Sequence, residues 1–224
     1  MRVLIACGGT GGHINPGLAI ADIIKSKYPD AEFLFAGTPK GMEAKLVPAA
    51  GYRFETIKVA GFQRRISLEN IGRNAKAVAY LITSGRRAKQ IIEGFKPDIA
   101  IGTGGYAAGP VIRKAARMGI PTAIHEQNAY PGVTNKLLSK EVDHVMLTVK
   151  EALNFMDGSK FEHTVTGLPV RSNIKNSISR SEARKKLGFN DDFTILSFGG
   201  SLGAGCINET MTEAIKWHVG RGLA

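Results

Sequence analysis

Short apolar runs separated by stretches of helical periodicity recur along almost the whole chain, and this alternation limits the architectures open to it. Runs at Val3–Ala6, Glu32–Ala36, Arg53–Lys58, Ile99–Gly102, Thr122–His125, His144–Leu147, Thr164–Thr166 and Thr194–Phe198 read as strands. Helical spacing fills Gly17–Tyr28, Met42–Ala49, Leu68–Glu93, Ala107–Met118, Gly132–Leu138, Lys150–Phe155, Arg180–Leu187 and Ala204–His218. A strand apolar at nearly every position needs cover on both faces, and a helix after each strand supplies it. The pattern predicts an α/β fold, a doubly wound parallel sheet joined by right-handed crossovers.

The alternation pauses near Val165–Arg171, where Thr166-Gly167-Leu168-Pro169-Val170-Arg171 carries glycine and proline and the polar stretch Ser172–Arg180 lacks periodicity. Such a segment reads as a linker. Beyond it the pattern restarts, but only about 55 residues follow, too few for an independent α/β domain. The second domain therefore reads as cut short, and the glycine-containing tail His218–Ala224 as an out-of-frame end.

Two turns share one design. Cys7-Gly8-Gly9-Thr10-Gly11-Gly12-His13 follows the first strand, and Phe198-Gly199-Gly200-Ser201-Leu202-Gly203-Ala204 follows the last. Glycines admit left-handed backbone angles and close approach of a ligand, and a helix N-terminus behind them favours an anion such as a diphosphate. Tight-turn sterics is the other reading of one such turn; a pair suggests two domains facing a shared ligand. A dinucleotide site fits poorly. G-x-G-x-x-G breaks because Ile14 stands in the third glycine position, and the second strand ends Phe35-Ala36-Gly37-Thr38 without an acidic residue for a ribose. Walker-A spacing is absent as well. No clustered carboxylates or His/Cys spacing marks a metal site, and no cofactor is expected. Cys7 and Cys206 form no disulfide framework and read as small buried residues, with reactive thiols the alternative.

At these residues the chain resembles the MurG family of bacterial glycosyltransferases. Its motifs are Gly8-Gly9-Thr10-Gly11-Gly12-His13-Ile14-Asn15-Pro16, Gly102-Thr103-Gly104-Gly105-Tyr106, His125-Glu126-Gln127-Asn128-Ala129-Tyr130-Pro131-Gly132, Thr166-Gly167-Leu168-Pro169-Val170-Arg171 and Gly199-Gly200-Ser201-Leu202-Gly203-Ala204. The resemblance implies a GT-B fold of two Rossmann-like domains with a cleft between them. It implies transfer of N-acetylglucosamine from UDP-N-acetylglucosamine to the muramyl 4-hydroxyl of an undecaprenyl-pyrophosphoryl muramyl-pentapeptide acceptor, with inversion at the anomeric carbon. Residues 1–165 would be the N-terminal acceptor- and membrane-side domain, and residues 166–224 a linker with an incomplete C-terminal donor-binding domain. Thr10, Gly11, Gly12, Asn128, Arg171 and Ser201 match donor-binding positions, and Gly105 and Tyr106 fall among the substrate-binding ones. His13 is the expected catalytic base, since the acceptor hydroxyl must lose a proton and an imidazole titrates in the useful range; a helix-capping role is the alternative. Glu126 is a second candidate base or an orienting group. Tyr106 lines the acceptor pocket or the core. Arg171 neutralises the departing diphosphate or is a surface charge of the linker.

The formal net charge is +11. It is concentrated between Gly61 and Lys96, where eight Lys or Arg face two Glu. Phe62, Arg64, Arg65, Arg73, Lys76, Arg86 and Arg87 are therefore expected to contact an anionic membrane surface, each cation near it contributing roughly 1 kcal/mol. A merely solvated helix face is the alternative. Nucleic acid is not an expected partner, because aromatics do not interleave with these charges. MRVLIACGGTGGH shows no signal-peptide cleavage pattern, so the expected location is peripheral, on the cytoplasmic face of the bacterial cell membrane. Two other functions stay open: a membrane-associated module that binds the lipid-linked acceptor without transfer, and a nucleotide-dependent oxidoreductase.

Overall fold

A computed structural model describes residues 1–59, 83–156, 161–171, 178–200 and 203–221. By contacts the chain divides into two compact units, Met1–Lys175 and Asn176–Ala224. The described connector residues 166–171 fall within the first of these units.

In the first unit the order is β1 (Arg2–Cys7), α1 (Gly11–Lys27), β2 (Glu32–Gly37), α2 (Glu43–Ala49) and β3 (Arg53–Thr56). A helical stretch at 83–95 follows, here α3. Then come β4 (Ile99–Gly104), α4 (Ala108–Arg117), β5 (Thr122–Glu126), α5 (Val133–Leu138), β6 (His144–Leu147), a 3-10 turn at Lys150–Phe155, and β7 (Glu162–Val165). All seven strands lie in one sheet in the order β3-β2-β1-β4-β5-β6-β7, and every pairing is parallel. This is the expected Rossmann-like α/β sheet of the GT-B type.

Alternation along the strands builds two cores. Val3, Ile5, Phe33 and Phe35 pack on one face with Ile14 and Leu18 of α1 and Val47 of α2. Leu4, Ala6, Leu34 and Ala36 pack on the other with Ile91 and Ile92 of α3, Val111 and Ile112 of α4, and Leu138 of α5. Each fully buried Leu, Ile or Phe contributes about 1.5–3 kcal/mol relative to exposure, so central strands buried on both sides dominate the unit's stability. Helix α1 starts at Gly11, six residues before the periodic pattern, and carries Pro16 inside it. Glycine and proline disfavour helix interiors, yet Ile14 is fully buried, and its packing overrides that local preference.

The second unit contains α6 (Arg180–Leu187) and α7 (Gly205–Gly220). Ser179 and Glu182 form a reciprocal capping box at the start of α6, and Gly188 closes it with φ +70. The strand expected at Thr194–Phe198 does not form. Backbone N–H and C=O groups of a strand need a neighbouring strand, and no described segment of this unit provides one. Its side chains stay outside: Phe193 is 92% and Leu196 81% exposed. A second Rossmann-like sheet is therefore not present in the described part of this unit.

Candidate functional site

In this strand order the chain leaves β1 toward β2 and resumes on the other side at β4. Open parallel sheets bind ligands in the crevice outside the carboxyl ends of the strands at such a switch point. The glycine turn 8–13 follows β1 there, and Gly104-Gly105-Tyr106 follows β4. The β1–β4 register shifts between Ala6 and Cys7, so that Cys7 pairs with Gly104.

Two glycines bring these segments together. Gly104 has φ +103, and a Cβ on it would stand 2.8 Å from Nδ1 of His13. Gly105 has φ +84, and a Cβ there would run into the carbonyl of Gly8. Gly105, expected among the substrate-binding residues, thus has a packing reason to be glycine: it lets two backbones touch. Tyr106 beyond it is 63% exposed, which removes the buried-core alternative.

The glycine turn is held from behind by Glu43, a residue the sequence reading missed. Its side chain is fully buried and accepts hydrogen bonds from the N–H of Gly9 at 3.2 Å, the N–H of Thr38 at 2.8 Å and the hydroxyl of Thr38 at 2.7 Å. A Cβ on Gly8 would stand 2.8 Å from its Oε1, so glycine there makes room for the carboxylate. Gly9 N–H is consequently spent inside the protein. The N–H groups of Gly11 and Gly12 open the first turn of α1, where no intrahelical carbonyl serves them, while His13 and Ile14 N–H both reach the carbonyl of Thr10. Thr10 is the N-cap residue, but its hydroxyl makes no capping bond. Beneath the turn, burial first and the charge of Glu43 second push the Cys7 thiol up to about 12, which makes it an inert core residue. Cys206 is exposed, contrary to the expectation that both cysteines are buried.

His13 is half-buried. Its Nδ1 lies 3.1 Å from Oε1 of Gln127, and its carbonyl accepts from the Thr103 hydroxyl at 2.7 Å. Among the described residues its Nε2 has no hydrogen-bond partner. Gln127 Nε2 lies 3.0 Å from the Thr103 carbonyl, 2.9 Å from the His125 carbonyl and 3.1 Å from His125 Nδ1. His125 Nε2 meets the carbonyl of Gly167 at 3.1 Å. His125 is fully buried, and desolvation holds its imidazole below the ordinary value of 6.5 despite the Gly167 carbonyl and the charge of Glu126. Gln127 lay inside a motif quoted from the sequence, but nothing in its spacing gave it a role; only its partners do.

Glu126 is 1% exposed. Its carboxylate accepts from the N–H and Nδ2 of Asn128, the N–H of Gly132 and Nδ2 of Asn135, at 2.9–3.0 Å. Four donors engage both oxygens and knot the loop between β5 and α5. That favours orientation over proton transfer as its role, and it leaves Asn128 exposed with one side of its amide held.

Arg171 sits elsewhere. Its Nε lies 3.6 Å from Asp22, whose other oxygen accepts from Tyr52 OH at 2.7 Å. Asp22 is roughly 13 Å farther along α1 than His13, at 1.5 Å per residue. Arg171, expected to neutralise a departing diphosphate or to be a surface charge of the linker, is half-buried and faces Asp22. Arg87 is likewise engaged, at 2.5 Å to Glu55 and 3.2 Å to the Thr56 carbonyl, whereas Arg86 is exposed. Phe62, Arg64, Arg65, Arg73, Lys76 and Ser201 lie outside the described residues. Among the described residues no three His, Cys, Asp or Glu gather as metal ligands would, and no helix is long and apolar enough to cross a membrane. A separate hollow of about 180 Å³ lined by Ala116, Pro121, Glu141 and Asp143 lies at the amino ends of β5 and β6, away from this crevice.

Sheet order, switch-point crevice and glycine turn define a Rossmann-like ligand-binding α/β domain. Residues 3–147 match the glycosyltransferase family 28 N-terminal domain, and the chain belongs to that family. It is 51% identical over 220 residues to a protein of Acetivibrio thermocellus called UDP-N-acetylglucosamine–N-acetylmuramyl-(pentapeptide) pyrophosphoryl-undecaprenol N-acetylglucosamine transferase, covering 97% of this chain and 58% of that protein. The protein of the same description from Clostridioides difficile is 42% identical over 226 residues, covering 100% and 54%. Among solved structures, MurG of Acinetobacter baumannii is similar with a TM-score of 0.65 at 28% identity, over 96% of this chain and 57% of that one. The chain thus spans a little over half the length of the relatives it matches. These similarities agree with the MurG resemblance read from the motifs and favour neither the binding-module nor the oxidoreductase alternative.

Proposed function

We propose that the chain is the acceptor-side part of an inverting glycosyltransferase that moves N-acetylglucosamine from UDP-N-acetylglucosamine to the muramyl 4-hydroxyl of an undecaprenyl-pyrophosphoryl muramyl-pentapeptide, the step that completes the lipid-linked peptidoglycan precursor. The observation that carries this reading is His13: an imidazole at the switch-point crevice, tethered through Nδ1 and, among the described residues, without a partner at Nε2. A base so held takes the proton of the acceptor hydroxyl as that oxygen attacks the anomeric carbon and the UDP oxygen leaves with the bonding pair. General-base assistance of this kind contributes about 10²–10⁴-fold. The N–H groups of Gly11 and Gly12 at the start of α1 favour a diphosphate there, and exposed Thr10, Tyr106 and Asn128 flank it as substrate contacts. Glu126 orders the loop that presents Asn128. Donor contacts at Ser201, and the approach of Arg171 to a diphosphate, belong to the same proposal.

The acceptor's lipid places the reaction at a bilayer surface. Support for peripheral contact on the cytoplasmic face comes from the net charge of +11 and from the basic residues Arg64, Arg65, Arg73, Lys76 and Arg86, with Phe62 beside them. Arg87, paired with Glu55, is the weakest member of that set.

The test is UDP release from UDP-N-acetylglucosamine with a lipid-linked acceptor, comparing the chain with His13→Ala. A rate at least 100-fold lower in the variant is expected. Equal rates sink the base assignment, and absence of release from both shows that the acceptor-side part does not carry the transfer by itself.

A further inference from the structure

The hydrogen bonds around His13 form a chain whose direction is fixed at one end by groups that only accept. A backbone carbonyl has no proton to give. At the far end, the Gly167 carbonyl at 3.1 Å requires His125 Nε2 to be the protonated nitrogen. His125 is fully buried, which disfavours its charged form, and its Nδ1 faces the Gln127 amide nitrogen at 3.1 Å; that nitrogen only donates, so His125 Nδ1 carries the lone pair. The Gln127 amide is oriented independently of the His125 ring: its Nε2 faces the backbone carbonyls of Thr103 and His125 at 3.0 and 2.9 Å. Turning the amide over would set its oxygen against two carbonyl oxygens and a lone pair. Oε1 is therefore what meets His13 Nδ1 at 3.1 Å, and an amide oxygen only accepts.

We infer that Gln127 is a positioning residue that holds His13 in the Nδ1–H tautomer, leaving the lone pair on Nε2, and that this polarity is set by the carbonyls of Thr103, His125 and Gly167. A free imidazole prefers its proton on Nε2, the form in which the unpartnered nitrogen could not accept a proton. The inference rests on the reading of His13 as general base and adds what makes it competent before substrate arrives. It also gives a reason for glutamine: one planar group must accept from one histidine while donating toward two carbonyls and a second ring. Glu could only accept there, and Met offers only a weakly accepting sulfur and no donor. Gly167, at φ +73, lies in the connector that follows β7, so this segment supplies the last acceptor of the relay.

The test is a two-bond 1H–15N correlation of the five histidine rings in the full chain, at a pH where the imidazoles are neutral, with His13 identified by loss of its signals in His13→Gln. The expected pattern is Nδ1–H for His13 and Nε2–H for His125. Gln127→Met should shift His13 toward Nε2–H while His125 keeps its pattern; Gln127→Glu, which still accepts, should leave His13 as Nδ1–H. An Nε2–H pattern for His13 in the unsubstituted chain overturns the inference without any variant needing to fold, as does an unchanged Nδ1–H pattern in folded Gln127→Met. In the transfer assay, kcat of Gln127→Met should fall by about 10²-fold or more with little change in the donor KM, and Gln127→Glu should recover part of it. An Nδ1–H His13 in a chain whose His13→Ala variant transfers sugar normally separates the two claims: the tautomer assignment stands and the base reading falls.

Discussion

Two regions of this molecule carry the same local theme, an apolar segment running into a glycine turn and then a helix, and they have different fates. In the first, β1 lies between β2 and β4 and Val3 to Cys7 are fully buried. In the second, Phe193 to Phe198 make no strand and stay exposed. A periodic pattern is a request for neighbours. Where parallel strands answer on both sides, the glycine turn is locked by backbone packing against Gly105 and by Glu43; where no described segment answers, the described residues show Gly203 N–H reaching the Gly200 carbonyl at 2.8 Å.

The sharpest way to break this contrast is a pair of glycine substitutions. Gly105→Ala places a Cβ against the Gly8 carbonyl at a left-handed backbone angle and should cost the first unit about 3–5 kcal/mol. Gly205→Ala meets nothing within 4 Å and should shift stability by no more than about 0.5 kcal/mol. Urea unfolding of both variants decides, and equal losses would refute the difference. Of the same size is Phe35→Ala, which empties a fully buried site at a cost of about 3–5 kcal/mol, against Leu196→Ala, which at 81% exposure should stay within about 0.5 kcal/mol. Thermal midpoints measure the pair.

Glu43→Gln should cost about 1–3 kcal/mol, because an NH₂ must then face one of the three donors, and amide exchange at Gly9 and Thr38 should quicken. The smallest effects are in pH. Burial lowers the His125 imidazole below 6.5, so the unfolded chain takes that proton first. The resulting stability is fully present above 6.5 and declines as pH falls from there toward the folded-state value. In the second unit the Ser179 hydroxyl and N–H hold the Glu182 carboxyl below its ordinary 4.5. That support for α6 is present above 4.5 and is lost as pH falls through the lowered value. Circular dichroism should show the first decline begin below 6.5 and the second only below 4.5, and two declines with a common onset would contradict the assignment.

How much of this was legible in the sequence follows from the range of the interactions involved. Strand and helix periodicity is local, and seven of the eight expected strands appear, all in one parallel sheet. The eighth, Thr194–Phe198, depended on partners that no local pattern can supply. The start of α1 was misplaced because glycines and Pro16 argue against helix, while the burial of Ile14 that decides the matter comes from the sheet. His13 and the glycine turn stood out by residue type. Glu43 and Gln127 did not: a glutamate beginning a helix and a glutamine in a loop are ordinary until Gly9, Thr38, Thr103 and His125 are seen around them. Glu126 was noticed for its chemistry, but three of its four donors come from a loop whose folding the sequence does not announce, and the fourth from Asn135 of α5.

The buried thiol beneath the glycine turn has a practical corollary. The chain has two cysteines; Cys7 is sealed in the core with its thiol pushed up to about 12, and Cys206 is exposed in the first turn of α7. A thiolate-seeking reagent at neutral pH therefore meets a single addressable sulfur. A fluorophore or spin label delivered by maleimide should report on α7 alone, with no cysteine removed from the native sequence, and appearance of a second labelled site would signal that the first unit has opened.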